Sequence, residues 1–292
     1  MKRAVFCLVF VWVLLMGSLA GAQEVLYDNF EGKTLDPEKW YGIGNTDSGM
    51  VTLELNRLMK NETLLNSKAL NFSIRTYVKN DSDSGVSSAH NGIVFADGSN
   101  IKTIVATVLV KKIQLPVCGS NAVDPFDTFV RARIGGTFFN TGTPTPDSYF
   151  HDVFAWIGIG RTTPAEGEDE DPPDTLHVYA RVMRCDDATC SNTTWVGYED
   201  PYDLGTVKLN KKVKLRITWD PDLNRFIFQK GKDAEFYITY AYDDTNLPGA
   251  SNGGNKRIQI QNILPNCTDE PRLSGYVDVS FDNIKVNAPP AP

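Results

Sequence analysis

Three absences limit what this 292-residue sequence can be. Lysine and arginine form no basic stripe and the formal net charge is −7, which argues against a nucleic acid partner because phosphate binding needs clustered cations. After residue 22 there is no second long apolar run, so we expect no membrane span in the rest of the chain. The motifs Gly-x-Ser-x-Gly and His-Glu-x-x-His are missing, and two common hydrolase mechanisms therefore receive no support.

The first 22 residues have the layout of a secretory signal peptide. Lys2 and Arg3 precede an apolar run over residues 5–15, and the small-residue site Ala20-Gly21-Ala22 stands before Gln23. An N-terminal membrane anchor is the alternative, but the run is shorter than the roughly 18 residues that a span requires. We therefore expect cleavage before Gln23 and an exported protein that is secreted, periplasmic or held at the cell surface.

Four cysteines follow that cleavage site, and an even number in an oxidising compartment indicates disulfides. Cys185 and Cys190 are close enough in sequence to close a small loop, which leaves Cys118 to pair with Cys267. A zinc site is the alternative, but the spacing is not Cys-x-x-Cys and no histidine is near Cys185.

Alternating apolar residues, separated by turn signals, run through the remaining sequence. Residues 214–219 and 277–282 alternate with period two, which is typical of antiparallel strands with one buried face. Residues 220–224, Asp-Pro-Asp-Leu-Asn, predict a turn between two strands. Further strand candidates are residues 103–113, 129–134, 153–159, 176–183 and 236–242. The pattern predicts an all-β antiparallel fold, with one domain over residues 23–287 and a flexible Pro-rich tail at 288–292.

Three segments resemble parts of secreted concanavalin A-like lectin/glucanase domains. Residues 27–40 are similar to the opening of such domains, residues 213–226 to their late hairpin and residues 276–286 to their last strand. The resemblance implies a two-sheet jelly-roll sandwich. An immunoglobulin-like sandwich is the alternative, but it is usually shorter.

This family includes glycoside hydrolases of the laminarinase type, which place two carboxylates along one strand as Glu-x-Asp-x-x-Glu or a close variant. No strand candidate here has that spacing, so we assign no catalytic residue. His151, Asp152 and His177 lie at strand starts and are the candidates for an unfamiliar hydrolase or lyase, although a histidine with a structural hydrogen bond is commoner.

Relatives of this fold often hold a structural calcium ion near their paired first and last strands. Asp28, Glu31 and Asp282 supply hard oxygen donors in the segments that resemble those strands, so the resemblance implies calcium ligands there. Capping of strand ends by Asp28 and Asp282 is the competing interpretation.

One aromatic cluster among polar residues suggests a sugar platform. Trp195, Tyr198 and Tyr202 lie with Asn192 and Asp203 in a stretch that reads as loop, and flat rings beside hydrogen-bonding groups suit pyranose sugars. A small satellite core under the 185–190 loop is the alternative. Two other tryptophans fall on apolar strands and are predicted to be core, Trp156 and Trp219.

These observations predict an exported, non-catalytic protein that binds a poly- or oligosaccharide. A divergent glycan hydrolase or lyase and a structural or adhesive envelope protein are the two alternatives. The sequence leaves the glycan and the oligomeric state open.

Overall fold

The computed structural model describes residues 23–42, 47–48, 51–77, 86–115, 128–162, 171–197, 201–249, 256–265 and 274–287. Within these ranges there is no α-helix, and one short 3-10 helix covers Pro221–Leu223. The strands, in chain order, are β1 (Glu24–Asp28), β2 (Trp40–Gly42), β3 (Asp47–Ser48), β4 (Val51–Glu62), β5 (Ser67–Tyr77), β6 (Val86–Phe95), β7 (Thr103–Gln114), β8 (Phe129–Asn140), β9 (Asp152–Thr162), β10 (Thr175–Cys185), β11 (Thr193–Trp195), β12 (Tyr202–Lys208), β13 (Lys212–Asp220), β14 (Arg225–Lys230), β15 (Phe236–Thr239), β16 (Arg257–Pro265) and β17 (Ser274–Asn287).

The strands form two antiparallel sheets that share one core. Sheet A has the order β15-β14-β13-β7-β17-β5-β4, with β1 also pairing with β17. Sheet B has the order β11-β10-β9-β8-β16-β6-β2, with β12 beside β10 and β3 beside β6. From β5 to β8, and again from β15 to β17, consecutive strands alternate between the two sheets, as a jelly roll requires. The predicted all-β, two-sheet jelly-roll sandwich is thereby confirmed.

Residues at alternate strand positions fill the space between the sheets. On β8, Val130, Ala132 and Ile134 belong to the core, whereas the residues between them point to the other side of sheet B. Further along β8, between Thr137 and Phe139, its register with β9 shifts. Because of this shift, the consecutive residues Phe138 and Phe139 are both buried in the core. The core therefore gains two neighbouring aromatic rings at this end of β8.

The late hairpin of sheet A confirms the predicted turn. Pro221 begins the 3-10 helix, and Asn224 ends it in the left-handed region with φ 46°. The strands on either side bring Trp219 and Phe226 into the core, where the Trp219 ring stacks on Phe139 with centroids 5.4 Å apart. The prediction that Trp219 is a core residue is confirmed.

The core prediction for Trp156 was wrong about the side of the sheet. Trp156 is buried, but it lies outside the core cluster, because its neighbours Ala155 and Ile157 occupy the core-facing positions of β9. Its ring covers the outer side of sheet B instead.

The sheets include the two ends of the described chain. Glu24 pairs with Asn287 and Val25 with Val286, so β1 lies along β17. In turn β17 pairs with both β5 and β7, which makes it an inner strand of sheet A. No helix in the described ranges has the length and apolar character needed to cross a membrane.

Candidate functional site on the outer side of sheet B

The outer side of sheet B carries rows of long polar and aromatic side chains. The register of β10, β9, β8, β16 and β6 aligns one residue from each strand into a central row, which consists of Tyr179, Gly158, Arg133, Gln259 and Gly92. Since side chains two residues apart along a strand share a face, two further rows flank it. One consists of Arg181, Trp156, Gly135, Arg257 and Val94, and the other of His177, Gly160, Arg131, Gln261 and His90. We call these three rows the arginine face.

Glycines on this face make room for the large side chains beside them. A Cβ atom at Gly160 would lie 2.2 Å from the Val130 carbonyl oxygen and 2.7 Å from Cβ of Arg131. Gly135 has φ 145°, a conformation that L side chains rarely adopt, and a Cβ there would lie 2.7 Å from Cβ of Trp156. The arginine and tryptophan side chains therefore lie close against the sheet.

The guanidinium groups surround the indole ring of Trp156. The Cζ atoms of Arg131, Arg181 and Arg133 lie 4.1, 5.2 and 5.5 Å from the centroid of its ring. Arg181 also lies over the ring of Trp195, at 4.3 Å. Such cation–π contacts fix the planar guanidinium groups without using their hydrogen-bond donors.

Several polar groups of the face have no partner among the described residues. Arg131 donates from Nη2 and Nε to Gln261 Oε1, over 2.8 and 3.2 Å. In contrast, both amide atoms of Gln259 and Nδ1 of His90 are buried without a hydrogen-bond partner in the described part of the chain. Among the described residues, Arg133 and Arg257 have no carboxylate partner. Buried polar groups are normally paired, so these unpaired groups make the arginine face the candidate site.

The arginines also change the titration of their neighbours. Burial lowers the pKa of His90 to about 3, and Arg133, Arg257 and Arg131 add to the effect. Burial lowers the pKa of Arg131 to about 9, which still leaves its guanidinium charged at neutral pH. The face thus carries several positive charges beside a neutral His90.

A cavity of about 350 Å³ opens on one part of the face. Its lining includes the side chains of the arginine face and the loop that carries the disulfide, namely His90, Arg133, Trp156, Arg257, Gln259, Thr189 and Cys190. This volume lies in the range of small-molecule sites.

Cys185 and Cys190 line the cavity and are joined by a disulfide. The predicted Cys185–Cys190 pairing is thereby confirmed. Within the loop, the Asp187 carboxylate accepts a hydrogen bond from the backbone N–H of Thr189 (2.8 Å), and just beyond Cys190 it accepts two more from those of Ser191 (3.0 Å) and Asn192 (2.6 Å). The Thr189 hydroxyl also donates to Asp187 (2.7 Å), and this bond, together with the backbone bonds, lowers the pKa of Asp187 and gives the loop a defined shape.

Replacing both Cys185 and Cys190 with alanine is expected to lower the free energy of unfolding by about 2 kcal/mol, because the six-residue loop closes with little chain entropy. Thermal unfolding of the double variant and the wild type measures the difference. Peptide mapping without reductant provides the control, since it must show the link in the wild type. An unchanged melting temperature would contradict the prediction.

The residues predicted to form a sugar platform occupy different places. Trp195 on β11 pairs with Met183 of β10 and borders the arginine face through Arg181. Tyr202 stacks on Phe236, with centroids 3.4 Å apart. Asn192 donates from Nδ2 to Asp187 over 2.9 Å, beside the cavity wall. Tyr198 lies outside the described residues.

Asp203 belongs to a carboxylate–histidine cluster at the edge of sheet B. His177 Nε2 lies 2.7 Å from Asp171 Oδ2, and its Nδ1 lies 3.2 Å from Asp203 Oδ2. Burial alone lowers the pKa of His177, but the hydrogen bonds with the two carboxylates outweigh burial and raise it.

The other two catalytic candidates have structural contacts. The His151 ring stacks on Phe150 with centroids 3.8 Å apart. Asp152 is fully buried, and its Oδ1 accepts hydrogen bonds from Asn140 Nδ2 (2.7 Å) and the Gly249 backbone N–H (2.8 Å). Asp152 thus joins the end of β8 to residues 246–249.

The predicted calcium ligands make hydrogen bonds of their own. Asp28 accepts hydrogen bonds from Trp40 Nε1 (2.7 Å) and the Phe30 backbone N–H (2.8 Å), and Glu31 accepts one from the backbone N–H of Lys68 (2.9 Å). Burial raises the pKa of Asp282, and Glu31 contributes in the same direction. Within the described ranges, no group of three acidic, histidine or cysteine side chains is arranged to hold a metal ion. The assignment of Asp28, Glu31 and Asp282 as calcium ligands stays a prediction.

The remaining sequence predictions fall outside the described residues. They are the signal peptide over residues 1–22, the Cys118–Cys267 disulfide and the tail at 288–292. These stay predictions.

Comparisons with known proteins return fold-level similarity only. No protein-family model and no curated protein matches the sequence. A sialidase structure matches with 6% identity and a TM-score of 0.34, over 76% of this chain but only 16% of the sialidase chain. A GH131 β-glucanase catalytic domain from Podospora anserina matches with 11% identity and a TM-score of 0.29, over 76% of this chain and 73% of that one. Lectin II from Ulex europaeus matches with 9% identity and a TM-score of 0.28, over 83% of this chain and 99% of that one.

The fold assignment rests on the strand order of the chain itself. Matches with such low identity and TM-scores identify neither a ligand nor an activity for this protein. The arginine face and its cavity are therefore the basis for assigning a function.

Proposed function

We propose that this protein is an exported, non-catalytic carbohydrate-binding protein whose glycan lies across the arginine face. The observation that carries the proposal is Gln259, a fully buried residue on the cavity wall whose amide donor and acceptor both lack a partner in the described structure. A primary amide can donate to one hydroxyl and accept from its neighbour, which suits the adjacent hydroxyls of a sugar ring.

The shape of the face supports a chain of sugar units. Its rows run across five adjacent strands, a distance of about 19 Å at the usual strand spacing of about 4.8 Å. Trp195, at the β11 edge, provides an aromatic ring at one end of this surface. An oligosaccharide lying across the strands contacts the cavity and the tryptophan together.

Binding without hydrolysis agrees with the composition of the face. A retaining glycosidase needs two carboxylates about 5 Å apart. None of the residues in the three rows is aspartate or glutamate. Asp203 and Asp171, at the edge, are both bonded to His177.

Replacing Trp195 with alanine is expected to weaken glycan binding about tenfold, since one stacking ring contributes about 1–2 kcal/mol. A glycan array first identifies a ligand, and titration calorimetry then compares the variant with the wild type. Trp195 is half-buried on a short edge strand, so we expect little change in the melting temperature.

Tyr237→Ala is the matched control. Tyr237 is an exposed ring on sheet A with Arg225 above it at 4.6 Å, much as Arg181 lies above Trp195. Its loss should leave glycan affinity unchanged. Absence of binding to every glycan on the array, or equal losses in the two variants, would overturn the proposed site.

A further inference from the structure

We propose that the glycan bound at this face is acidic, and that Arg133, Arg257 and Gln259 together bind the carboxylate or sulfate group of one of its sugars. This inference rests on the proposed glycan-binding function and names the class of its ligand.

The first support is the missing counter-charge. Elsewhere in the described chain, Arg184 contacts Asp186 at 2.9 Å, Arg225 contacts Asp220 at 2.9 Å and Arg216 contacts Glu235. Among the residues that the structure describes, Arg133 and Arg257 have no such carboxylate. The sequence contains 36 acidic residues against 29 lysines and arginines, so acidic side chains are plentiful. A bound anion would supply the negative charge that the described residues do not place there.

The second support is the geometry of the three groups. Arg133 and Gln259 occupy the same row on the adjacent strands β8 and β16. Arg257 precedes Gln259 by two residues on the same side of β16, so the three side chains start within about 5–8 Å of one another. All three line the cavity. Guanidinium groups bind planar oxyanions through paired N–H donors, and the amide N–H₂ of Gln259 adds another donor.

The third support is energetic. Burying cations without counter-charges is unfavourable, and neighbouring arginines repel one another. Arg131, Arg257 and Arg181 all disfavour the charged form of Arg133, after burial itself, and its pKa is lowered accordingly. A cluster of this kind lowers the free energy of unfolding, but it provides a desolvated, positively charged site for an anion.

The test compares ligands that differ only in charge. Polygalacturonate oligosaccharides and their methyl esters have the same sugar backbone, as do dextran sulfate and dextran. Calorimetric titration of the wild type is expected to show at least about 30-fold tighter binding of an acidic member than of its neutral partner, which corresponds to losing one desolvated charge contact. Preference within the first pair identifies a carboxylate, and preference within the second identifies a sulfate.

Variants locate the charge contact. Arg133→Gln and Arg257→Gln should each remove most of this preference while leaving the melting temperature equal or higher, because an uncompensated cation is lost. Arg225→Gln removes one charge from sheet A and should leave the preference unchanged. Most of the preference should persist between 50 and 500 mM salt, because salt screens a desolvated charge contact much less than an exposed one.

The outcomes separate this inference from the proposed function. Equal binding of acidic and neutral members overturns the acidic ligand while glycan binding stands. No binding to any array glycan or to either pair overturns both. Equal losses in all three arginine variants would show that the preference depends on net charge, and would overturn the site. If oligothymidylate binds as tightly as the acidic glycan, the face binds phosphate chains instead.

Discussion

Replacing Gln259 with methionine is expected to raise the free energy of unfolding by about 1–3 kcal/mol, whereas the same substitution at Gln261 should lower it by about 2–3 kcal/mol. The two glutamines lie two residues apart on β16, are both buried and share one side of sheet B. Gln259 has no partner within the described structure, so methionine removes two unpaired polar atoms. Gln261 accepts two hydrogen bonds from the Arg131 guanidinium, and methionine would leave that buried cation unpaired.

Each variant serves as the other's control, because volume, strand propensity and position are matched. Chemical denaturation gives the free energy of unfolding of each variant. The two values can be compared when the free energy falls with the same slope against denaturant concentration in both. The Gln259 variant should also lose measurable glycan binding. If Gln259→Met destabilises the fold as much as Gln261→Met, the Gln259 amide has a structural role and the proposed site loses its main support.

Replacing Asp152 with alanine is expected to lower the free energy of unfolding by about 3–5 kcal/mol. The carboxylate is fully buried and accepts hydrogen bonds from the Asn140 side chain and the Gly249 backbone. Alanine leaves both donors without an acceptor away from solvent, and bonds to a charged acceptor are the stronger ones. Thermal and denaturant unfolding measure the loss.

Asp152→Asn separates a structural role from a catalytic one. Both donors bond to the same atom, Oδ1, and asparagine provides an oxygen in that position. We therefore expect the asparagine variant to recover the part of the stability that these two hydrogen bonds provide. Should the protein degrade a glycan, and should Asp152→Asn abolish that turnover with the fold intact, Asp152 would be a catalytic residue instead.

Local sequence patterns predicted much of the architecture. Period-two alternation at residues 214–219 and 277–282 marks the strands β13 and β17, because one face of each meets the core. The turn at 220–224 was predictable from the backbone preferences of Pro221 and Asn224. The order of strands within each sheet was not predictable in this way, since pairing such as that of β7 with β17 joins residues far apart in sequence.

The candidate site was missed for a related reason. Arg131 and Arg133 alternate with core residues on β8, and polar residues in that pattern are ordinarily taken as facing water. Only the register shows that four arginines from β8, β10 and β16 lie on one face. The glycines of β8 and β9 are one local signal of this face in the sequence. The glycines Gly135, Gly158 and Gly160 weaken strands, and several in adjacent strands indicate close packing of large neighbours.

Trp156 shows how the same ambiguity misleads for an aromatic residue. Its neighbours Ala155 and Ile157 are apolar, and Trp156 was therefore predicted to be a core residue on an apolar strand. In the structure its ring is buried by arginine side chains on the outer side of the sheet. Burial was thus predictable from the sequence, but the chemical nature of the neighbours was not.

The inner position of β17 in sheet A sets the order in which this protein can fold during synthesis. The strand pairs with β1, β5 and β7, whose residues are all made long before residues 274–287. Until those residues leave the ribosome, β5 and β7 have no strand between them, and β1 has no partner for its ladder. Sheet A therefore closes after translation of β17, and its late, long-range pairing makes folding slow compared with that of proteins whose contacts are local.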